Sequence, residues 1–431
     1  MGSRASGRRV NIVVRCLNQT WQANVQLELY AVAFPQIGRL ILLRAVNAIS
    51  ISILLITLPT KAALSQSATV PVFAGVAYLS SLSDAPKLFP YAWVIDSLAR
   101  ARGMSLDDRL FRVLEKSGVS LSRELAIRPG SAVALAFDGE SVLRERIANR
   151  SRRVIRISAQ LIVFNFREQQ VLASFPLSFE RVEIAPDGDD KVYEVGLRDS
   201  LFELVTSAVR PSLIGLAAKA YSLLRVLDGL PCKIQVGGVS LDSSVVRITS
   251  IHDQKISAGT ESQLSTMFAR AWITSTNYPL LPSARSHAVN GKMAGQFSDG
   301  RIFDLKIPDP DYVIRLDSAR TRRKTVSTSA AGRADAVGAY VTFSVVEPLT
   351  GVIIASATMK DVLADKVPAL QETVDEWPAV KGVFESLFDG FGVAVRKGDN
   401  KWFGDHAVSE NGQQAGMQFH TWLTSKCALS H

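Results

Sequence analysis

The spacing of apolar residues predicts a strand and two helices between residues 70 and 118. Residues 70–79 are rich in β-branched and aromatic side chains and end at a turn rich in Ser, which predicts a strand. Apolar positions at helical spacing across residues 88–102 predict a helix that ends at Gly103. A second helix is predicted from Ser105, whose hydroxyl can cap it, to Gly118. This half therefore begins as strand, helix, helix.

Two long strands and a helical segment follow. Residues 153–166 and 170–182 carry many β-branched and apolar side chains, and the three residues between them are typical of a hairpin turn. Residues 201–227 are apolar around most of a helical circumference, so we expect one buried helix, or two with a break at Pro211.

The second half of the chain repeats this order of elements. Its predicted elements are a strand at 233–241, a helix at 261–275, strands at 336–346 and 351–362, and a closing helix at 378–395. We predict an α+β fold of two tandem domains, each a mixed sheet with a long β-hairpin and packed helices. Duplication would explain the repeat, and it predicts that Phe164 and Phe343 occupy the same face of their sheets.

These patterns divide the chain into four parts. Residues 1–65 form an upstream extension plus signal peptide, residues 66–228 the first α+β domain and residues 232–396 the second. The interruption Asp-Gly-Leu-Pro at 228–231 separates the two domains. The tail, residues 397–431, is rich in Gly, Asn, Gln and His without a clear period, and we predict that it is disordered.

The positive charge of the chain is concentrated at its start. The formal net charge is +9, but seven basic residues and only one acidic residue, Glu28, lie within residues 1–65. The remainder carries a net charge of only +3. This near balance argues against nucleic acid as the partner of the main part of the chain.

The first segment has the order of a secretory signal. Arg39 and Arg44 precede an apolar run at 45–58, and Ala63 and Ser65 supply small residues at the −3 and −1 positions of a cleavage site. The alternatives are a retained anchor or a buried element, but a membrane-spanning helix needs about 20 apolar residues. We predict export, cleavage near Ser65, and location in the periplasm or at the periphery of the outer membrane.

No sequence motif assigns a reaction to the chain. The pair Gly237-Gly238 could admit a phosphate to the backbone, but strand glycines more often mark a bulge or close packing. His252-Asp253 could be a base with its orienting acid, although adjacent side chains rarely face each other. We therefore predict no enzyme activity, no metal and no cofactor. Cys232 and Cys427 could pair in an oxidising compartment, and the sequence leaves this open.

Two basic clusters, at 150–153 and 320–324, are the remaining candidates for ligand binding. They could contact phosphate or anionic lipid, but no aromatic stacking partners adjoin them in the sequence. Arginines at exposed strand ends are also common in proteins without such ligands.

One stretch of the second half resembles a family of envelope proteins. Asp311-Tyr312 begins a predicted strand, and a later strand turns at Thr350-Gly351 into the next. Over about residues 232–362 this pattern is similar to bacterial cell-envelope accessory proteins of the curli-secretion-channel, penicillin-binding-protein-activator and Tol propeller N-terminal-domain type. The chain lacks the lipobox Cys and the membrane-spanning hairpins of the curli channel, and it lacks the propeller repeats of the Tol protein. The resemblance implies a non-enzymatic envelope domain that binds other proteins.

We therefore predict an exported, non-enzymatic envelope accessory protein that acts through protein-protein contacts in assembly, secretion or transport. Its expected partners are other envelope proteins, with a homo-oligomer as a further option, and neither nucleic acid nor a small-molecule cofactor. Asp311 and Tyr312 are the candidate interface or structural anchor, and the structural role is favoured because a ring held against a sheet buries apolar area.

Two functions of other classes compete with this prediction. One is an envelope hydrolase whose site would assemble from His252, His287, Asp304 and Asp311, which are separate in the sequence. The other is a nucleic-acid-binding protein, which would require one continuous basic face joining the clusters at 150–153 and 320–324.

Overall fold

The computed structural model describes most of the chain from residue 70 onward. The described residues are 70–116, 118, 120–123, 130–147, 150–186, 190–207, 212–223, 231–250, 256–283, 288–289, 291–369 and 376–428. They belong to one compact unit that spans residues 65–431. The predicted signal segment, its cleavage point, most of the predicted linker, His252 and His287 lie outside the described residues.

The first half has the predicted strand, helices, hairpin and closing helices, and it also has a long strand over residues 131–147 that the residue pattern did not predict. Its elements are β1 (Val72–Tyr78), α1 (Ala85–Leu88), α2 (Pro90–Ala101), α3 (Leu106–Lys116), β2 (Ser131–Ile147), β3 (Arg150–Asn165), β4 (Gln170–Pro186), α4 (Asp190–Thr206) and α5 (Leu213–Leu223). The predicted apolar helix at 201–227 is therefore the end of α4 followed by α5, as expected for a segment with a central proline.

The second half repeats the order and adds elements at two places. Its elements are β5 (Ile234–Leu241), α6 (Ser243–Ser250), α7 (Ile256–Thr276), β6 (Ala288–Val289), β7 (Lys292–Phe297), β8 (Ile302–Lys306), β9 (Tyr312–Ser329), β10 (Gly332–Val346), β11 (Ile353–Pro368), α8 (Trp377–Lys397), α9 (Asn400–His406) and α10 (Gly412–Lys426). The strands β6–β8 are inserted before the long meander, and α9 and α10 follow the closing helix.

Each half builds its sheet in the same way. In the first, β1 pairs in parallel with β2, and β2, β3 and β4 form an antiparallel meander. In the second, β5 pairs in parallel with β9, and β9, β10 and β11 form the equivalent meander. Mixed sheets with long hairpins and packed helices confirm the α+β fold.

The inserted hairpin β7–β8 joins the sheet of the first half. Strand β7 pairs with β1, and β8 pairs with β4 through Gln170 and Lys306, so that the first sheet closes on itself. The assignment of all of residues 232–396 to a separate second domain therefore needs correction. Residues 292–306 complete the first sheet, and one apolar cluster contains residues of both halves.

The core consists of a large cluster shared by the helices and both sheets and a smaller cluster on the other face of the first sheet. Phe343 belongs to the large cluster, whereas Phe164 belongs to the small one with Met293 and Phe297. The prediction that Phe164 and Phe343 share a face is wrong. The neighbouring Val163 faces the large cluster, and a shift of one residue along a strand exchanges its faces.

The tail is ordered, which corrects the prediction of disorder for residues 397–431. The helices α9 and α10 bury Phe403, Phe419, Trp422 and Leu423. The last three lie at helical spacing on one face, and α10 packs on β11 and α8. A few large apolar residues on one face outweigh the polar composition on which the prediction of disorder depended. None of the helices in the described part of the chain is long and apolar enough to cross a membrane.

A disulfide joins the beginning of β5 to the end of α10. Cys232 and Cys427 are both buried, and their Cα atoms are 5.2 Å apart. The bond fixes the last helix to the first strand of the second sheet, so the pairing that the sequence left open is present.

Candidate functional site: a polar cavity between the two sheets

A short extended segment after α7 connects β4 of the first sheet to β5 of the second. The Ser174 amide of β4 donates to the carbonyl oxygen of Leu280 at 2.7 Å. The next residue, Leu281, donates its amide to the carbonyl oxygen of Ile234 in β5 at 2.8 Å. Beside this connection, β4 and β5 form two sides of a cavity of about 180 Å³, with the N-terminal half of α7 against it.

A bulge shapes the β5 side of the cavity. The register of β5 against β9 shifts between Val236 and Val239, so Gly237-Gly238 forms the bulge that strand glycines commonly mark. A Cβ atom at Gly237 would lie 2.7 Å from the Val313 side chain, too close for any other residue without a shift. The glycine thus lets β5 approach β9 while its backbone lines the cavity.

The β3 side contributes a buried amide whose orientation is fixed. Gln160 is 4% exposed, and its Nε2 donates to Oδ2 of Asp138 at 2.7 Å. A carboxylate accepts, so the nitrogen must face Asp138 and the amide oxygen must face away from it. Among the described residues, the Oε1 atom of Gln160 has no hydrogen-bond partner.

A hydroxyl on α7 is in the same situation. Ser265 is 7% exposed, lines the cavity, and its Oγ finds no hydrogen-bond partner within the described part of the chain. Buried polar atoms in folded proteins nearly always have a partner, so Gln160 and Ser265 mark a place where a water molecule or a ligand can bind.

Arg156, Lys381 and Glu385 of the cavity lining form ion pairs with side chains at or just outside its mouth. Glu180 accepts from Arg156 at 2.7 Å and from Lys381 at 2.9 Å, and Glu385 accepts from Arg270 at 3.1 Å. Burial acts to raise the pKa of Glu180, but the hydrogen bonds from Arg156 and Lys381 outweigh it and lower this pKa. These charges are largely neutralised within the protein.

Sequence reasoning did not find this cavity. Its residues come from β2, β3, β4, β5, α7, α8 and the segment after α7, and no local pattern connects them. Only Gly237-Gly238 was singled out, and its spacing alone could not show what lies opposite.

Asp311 and Tyr312 lie in another region, where β9 begins. The Lys233 amide donates to Oδ2 of Asp311 at 2.8 Å, and the half-buried Tyr312 ring meets the Trp422 ring edge-on at 5.4 Å. Burial raises the pKa of Tyr312, and the nearby carboxylates of Glu347 and Asp311 add to this effect. The pair connects β5, β9 and α10.

Tyr278 supports the same region from α7's C-terminal side. Its hydroxyl donates to the carbonyl oxygen of Cys232 at 2.8 Å and accepts from the amide of that residue at 3.1 Å. Burial raises the pKa of Tyr278 to about 12. The backbone at the disulfide is therefore held by a neutral phenol.

The basic clusters have partners inside the fold. Arg323 donates to Asp335 at 2.7 Å and also to Asp365, and this hydrogen bonding lowers the pKa of Asp335. Arg320 and Arg322 lie over the Tyr340 ring, 5.0 and 5.8 Å from its centroid. This aromatic partner is on the neighbouring strand, so inspection of the adjacent sequence could not detect it. In the other cluster, Arg153 is buried.

The residues of the competing hydrolase prediction are not seen together. Asp304 pairs with Lys292 on the β7–β8 hairpin at 3.1 Å, and Asp311 caps the Lys233 amide. Among the described residues, no group of three His, Cys, Asp or Glu side chains is placed to hold a metal ion.

Comparisons with known proteins give only remote similarities. No protein-family model and no curated protein sequence matches the chain. Similar solved structures include a minor lipoprotein from Acinetobacter baumannii (12% identity, 41% of this chain, 98% of that one, TM-score 0.21). Another is PelC from Paraburkholderia phytofirmans (9% identity, 38% of this chain, 82% of that one, TM-score 0.19). A third is a putative neuraminyllactose-binding hemagglutinin homolog from Helicobacter pylori (13% identity, 44% of this chain, 90% of that one, TM-score 0.23). At these scores no assignment follows from them.

Proposed function

We propose that the chain is an exported, non-enzymatic accessory protein of the bacterial cell envelope that acts through protein-protein contacts. The observation that carries the proposal is the buried disulfide between Cys232 and Cys427. Structural disulfides persist in oxidising compartments and are rare in the cytosol. The signal-like order of residues 39–65 supports the same compartment independently.

The long meanders offer a surface for a partner at one end. Exposed apolar side chains lie where β4, its counterpart β11, and β9 approach or reach their C-terminal ends. They are Val182, Ile184, Val326, Val362 and Leu363, with Ile184 58% and Val326 68% exposed. We call this set the meander tips. We infer that another folded envelope protein covers them, because exposed apolar side chains near these strand ends favour an interface.

Export is tested by the state of the cysteines and the N-terminus. Protein from intact cells should begin near Gln66, and its thiols should react with an alkylating reagent only after reduction. Recovery of the chain from cytosol with an intact N-terminus and two reactive thiols at Cys232 and Cys427 would contradict the proposal.

Contact at the meander tips is tested with a photo-cross-linking residue in living cells. We expect adducts with another envelope protein from positions Ile184 and Val326. Leu349 is the matched control, since it is apolar and 95% exposed but lies in the turn after β10, at the opposite end of that strand. Adducts with a second copy would replace the heterologous partner by a homo-oligomer, and equal yields from all three positions would refute the surface.

A further inference from the structure

We propose that the cavity between the two sheets binds a small, uncharged, hydroxyl-rich ligand of about the size of one sugar ring. This goes beyond the proposed function, which concerns the compartment and the meander tips and would stand without it.

The first observation is the unused hydrogen-bonding capacity of two buried side chains. The Oε1 atom of Gln160 can only accept, and the hydroxyl of Ser265 can donate or accept. Their burial makes an unpaired state unfavourable, and the bond from Gln160 to Asp138 prevents the amide from turning its oxygen elsewhere. A ligand with several hydroxyl groups can donate to Gln160 through one of them and form a hydrogen bond with Ser265 through another.

The second observation is the distribution of charge, which favours a neutral ligand. Arg156 and Lys381, which line the cavity, both bind Glu180, and Glu385, also in the lining, binds Arg270. The lining further includes the carboxylates of Asp138, which accepts from Gln160, and of Glu261, and these add to the disadvantage of an anion. An anion would have to compete with Glu180 for its cations, and a cation would have to compete with those cations for Glu180. A neutral ligand leaves these ion pairs intact.

The third observation is the size of the cavity and the mixture of polar and apolar side chains that line it. About 180 Å³ is below the 300–1,000 Å³ range of drug-sized pockets, so the occupant is small. Ser158, Ser174 and Ser178 add short hydroxyl side chains, while Met267 and Leu280 add apolar surface. A sugar ring, polar at its edge and apolar on its faces, matches this combination.

Binding is tested by calorimetry on the purified full-length chain with glucose, galactose and N-acetylglucosamine. At least one should bind saturably with a millimolar or lower Kd. Glucuronate and glucosamine, the charged counterparts, should bind at least about tenfold more weakly, and so should N-acetylglycinamide, which offers amides instead of hydroxyls. Failure of all three neutral sugars to bind, or preference for a charged or amide probe, would overturn the ligand class.

The site itself is tested with substitutions that remove the two unpaired groups. Gln160→Met and Ser265→Ala should each weaken sugar binding about tenfold while the circular dichroism spectrum stays unchanged. Ser344→Ala is the matched control, because Ser344 is 3% exposed but pairs with Ser356 in the second sheet. Unchanged affinity in folded Gln160→Met and Ser265→Ala proteins, or equal loss in the control, would remove the site. Ser265→Ala also covers the case in which Gln160→Met does not fold.

Discussion

The two meanders share their strand order but differ in what covers their second face. The second face of β2–β4 lies against the hairpin β7–β8 and is lined by small and aromatic apolar residues such as Ala134 and Phe164. The second face of β9–β11 carries hydroxyl pairs, Thr342 with Thr358 and Ser344 with Ser356. The same strand order therefore occurs in the first sheet, which has two apolar faces, and in the second sheet, which has one apolar and one polar face.

This difference is visible in the residue patterns of the strands. All seven residues of β1 are buried, as in strands covered on both faces, whereas core and polar residues alternate along the last part of β10. The inserted hairpin is the physical cause, because only the first sheet gains a second apolar layer. Five predictions test how far this contrast extends.

The largest effect is expected in the aromatic core of the second half. Phe343 is fully buried and stacks on Phe391 with ring centroids 4.0 Å apart. Phe343→Ala should lower the free energy of unfolding by about 3–5 kcal/mol in urea denaturation, since a large cavity remains. Phe166→Ala, at a position 38% exposed, is the control and should cost far less. Similar losses for both would show that the core is not concentrated in the second half.

The disulfide should have the next largest effect. The double substitution Cys232→Ser, Cys427→Ser opens a loop of sequence separation 195 and should cost about 2–4 kcal/mol, because the unfolded chain regains conformational freedom. Thermal unfolding with and without a reducing agent measures it. The reducing agent should lower the Tm of the unsubstituted chain and leave that of the double variant unchanged. An unsubstituted chain whose Tm does not change on reduction would contradict a stabilising role of the disulfide.

A pH-dependent contribution is expected from Glu140 in the first half. Glu140 of β2 accepts from the amides of Tyr91 and Ala92 at the start of α2, and burial raises its pKa from 4.5 to about 7. The folded state therefore binds the proton more tightly, and stability is lost as the pH rises from about 4.5 to 7, by about 2–3 kcal/mol.

The control for this prediction comes from the second half, where neutral groups make the corresponding link. There the hydroxyls of Ser240 and Ser244 accept from amides of β9. Urea denaturation across pH 4–8 should show that Glu140→Gln removes the slope, whereas Ser244→Ala lowers stability equally at each pH. A slope that survives in Glu140→Gln would assign it to another group.

The closure of the first sheet depends on a glycine in β7. A Cβ atom at Gly295 would collide with the carbonyl oxygen of Tyr78 and with the Phe303 ring. Gly295→Ala should therefore cost about 1–3 kcal/mol in thermal or urea unfolding. Gly382→Ala on α8 is the control, because the nearest atom to its added Cβ lies 4.0 Å away. A harmless Gly295→Ala would show that β7 does not pack closely on β1.

The smallest effect concerns Tyr312 at the start of β9. Loss of its half-buried ring in Tyr312→Ala should cost about 1.5 kcal/mol and lower the Tm by a few degrees, because the edge of Trp422 loses its partner. Tyr312→Phe, which retains the ring, should be nearly neutral. Unchanged stability together with loss of an envelope partner would assign Tyr312 to an interface instead.

Local patterns were sufficient for many of the elements but not for their association. The hairpin at 153–182 and the strand at 233–241 follow from β-branched residues and short turns, and both are present. Nothing local indicates that residues 292–306 leave their own half to close the other sheet. That pairing depends on contacts such as Ala77 with Phe297, more than 200 residues apart.

For the cavity, too, the local sequence predicts one feature and not the others. A bulge at Gly237-Gly238 is deducible from two strand glycines, but Gln160 and Ser265 look like ordinary polar positions in their own segments. Only the fold shows that both are buried without a partner beside that bulge. The tail was missed for a different reason, since the spacing of Phe419, Trp422 and Leu423 contained the helix signal despite the polar composition around them.

The disulfide also determines how the protein would carry a mechanical load. Tension applied between β1 and the end of α10 passes through the Cys232–Cys427 bond and bypasses the segment between them. The second sheet and α8 are thereby outside the path of the force, and only the chain before Cys232 can be extended. The strands β7 and β8 belong to the bypassed segment but pair with β1 and β4, and the ladder between β4 and β8 consists of one residue pair, Gln170 with Lys306. The Ser174–Leu280 hydrogen bond is a further link of β4 to that segment. Under load the first sheet would therefore open at that seam while the second stayed folded.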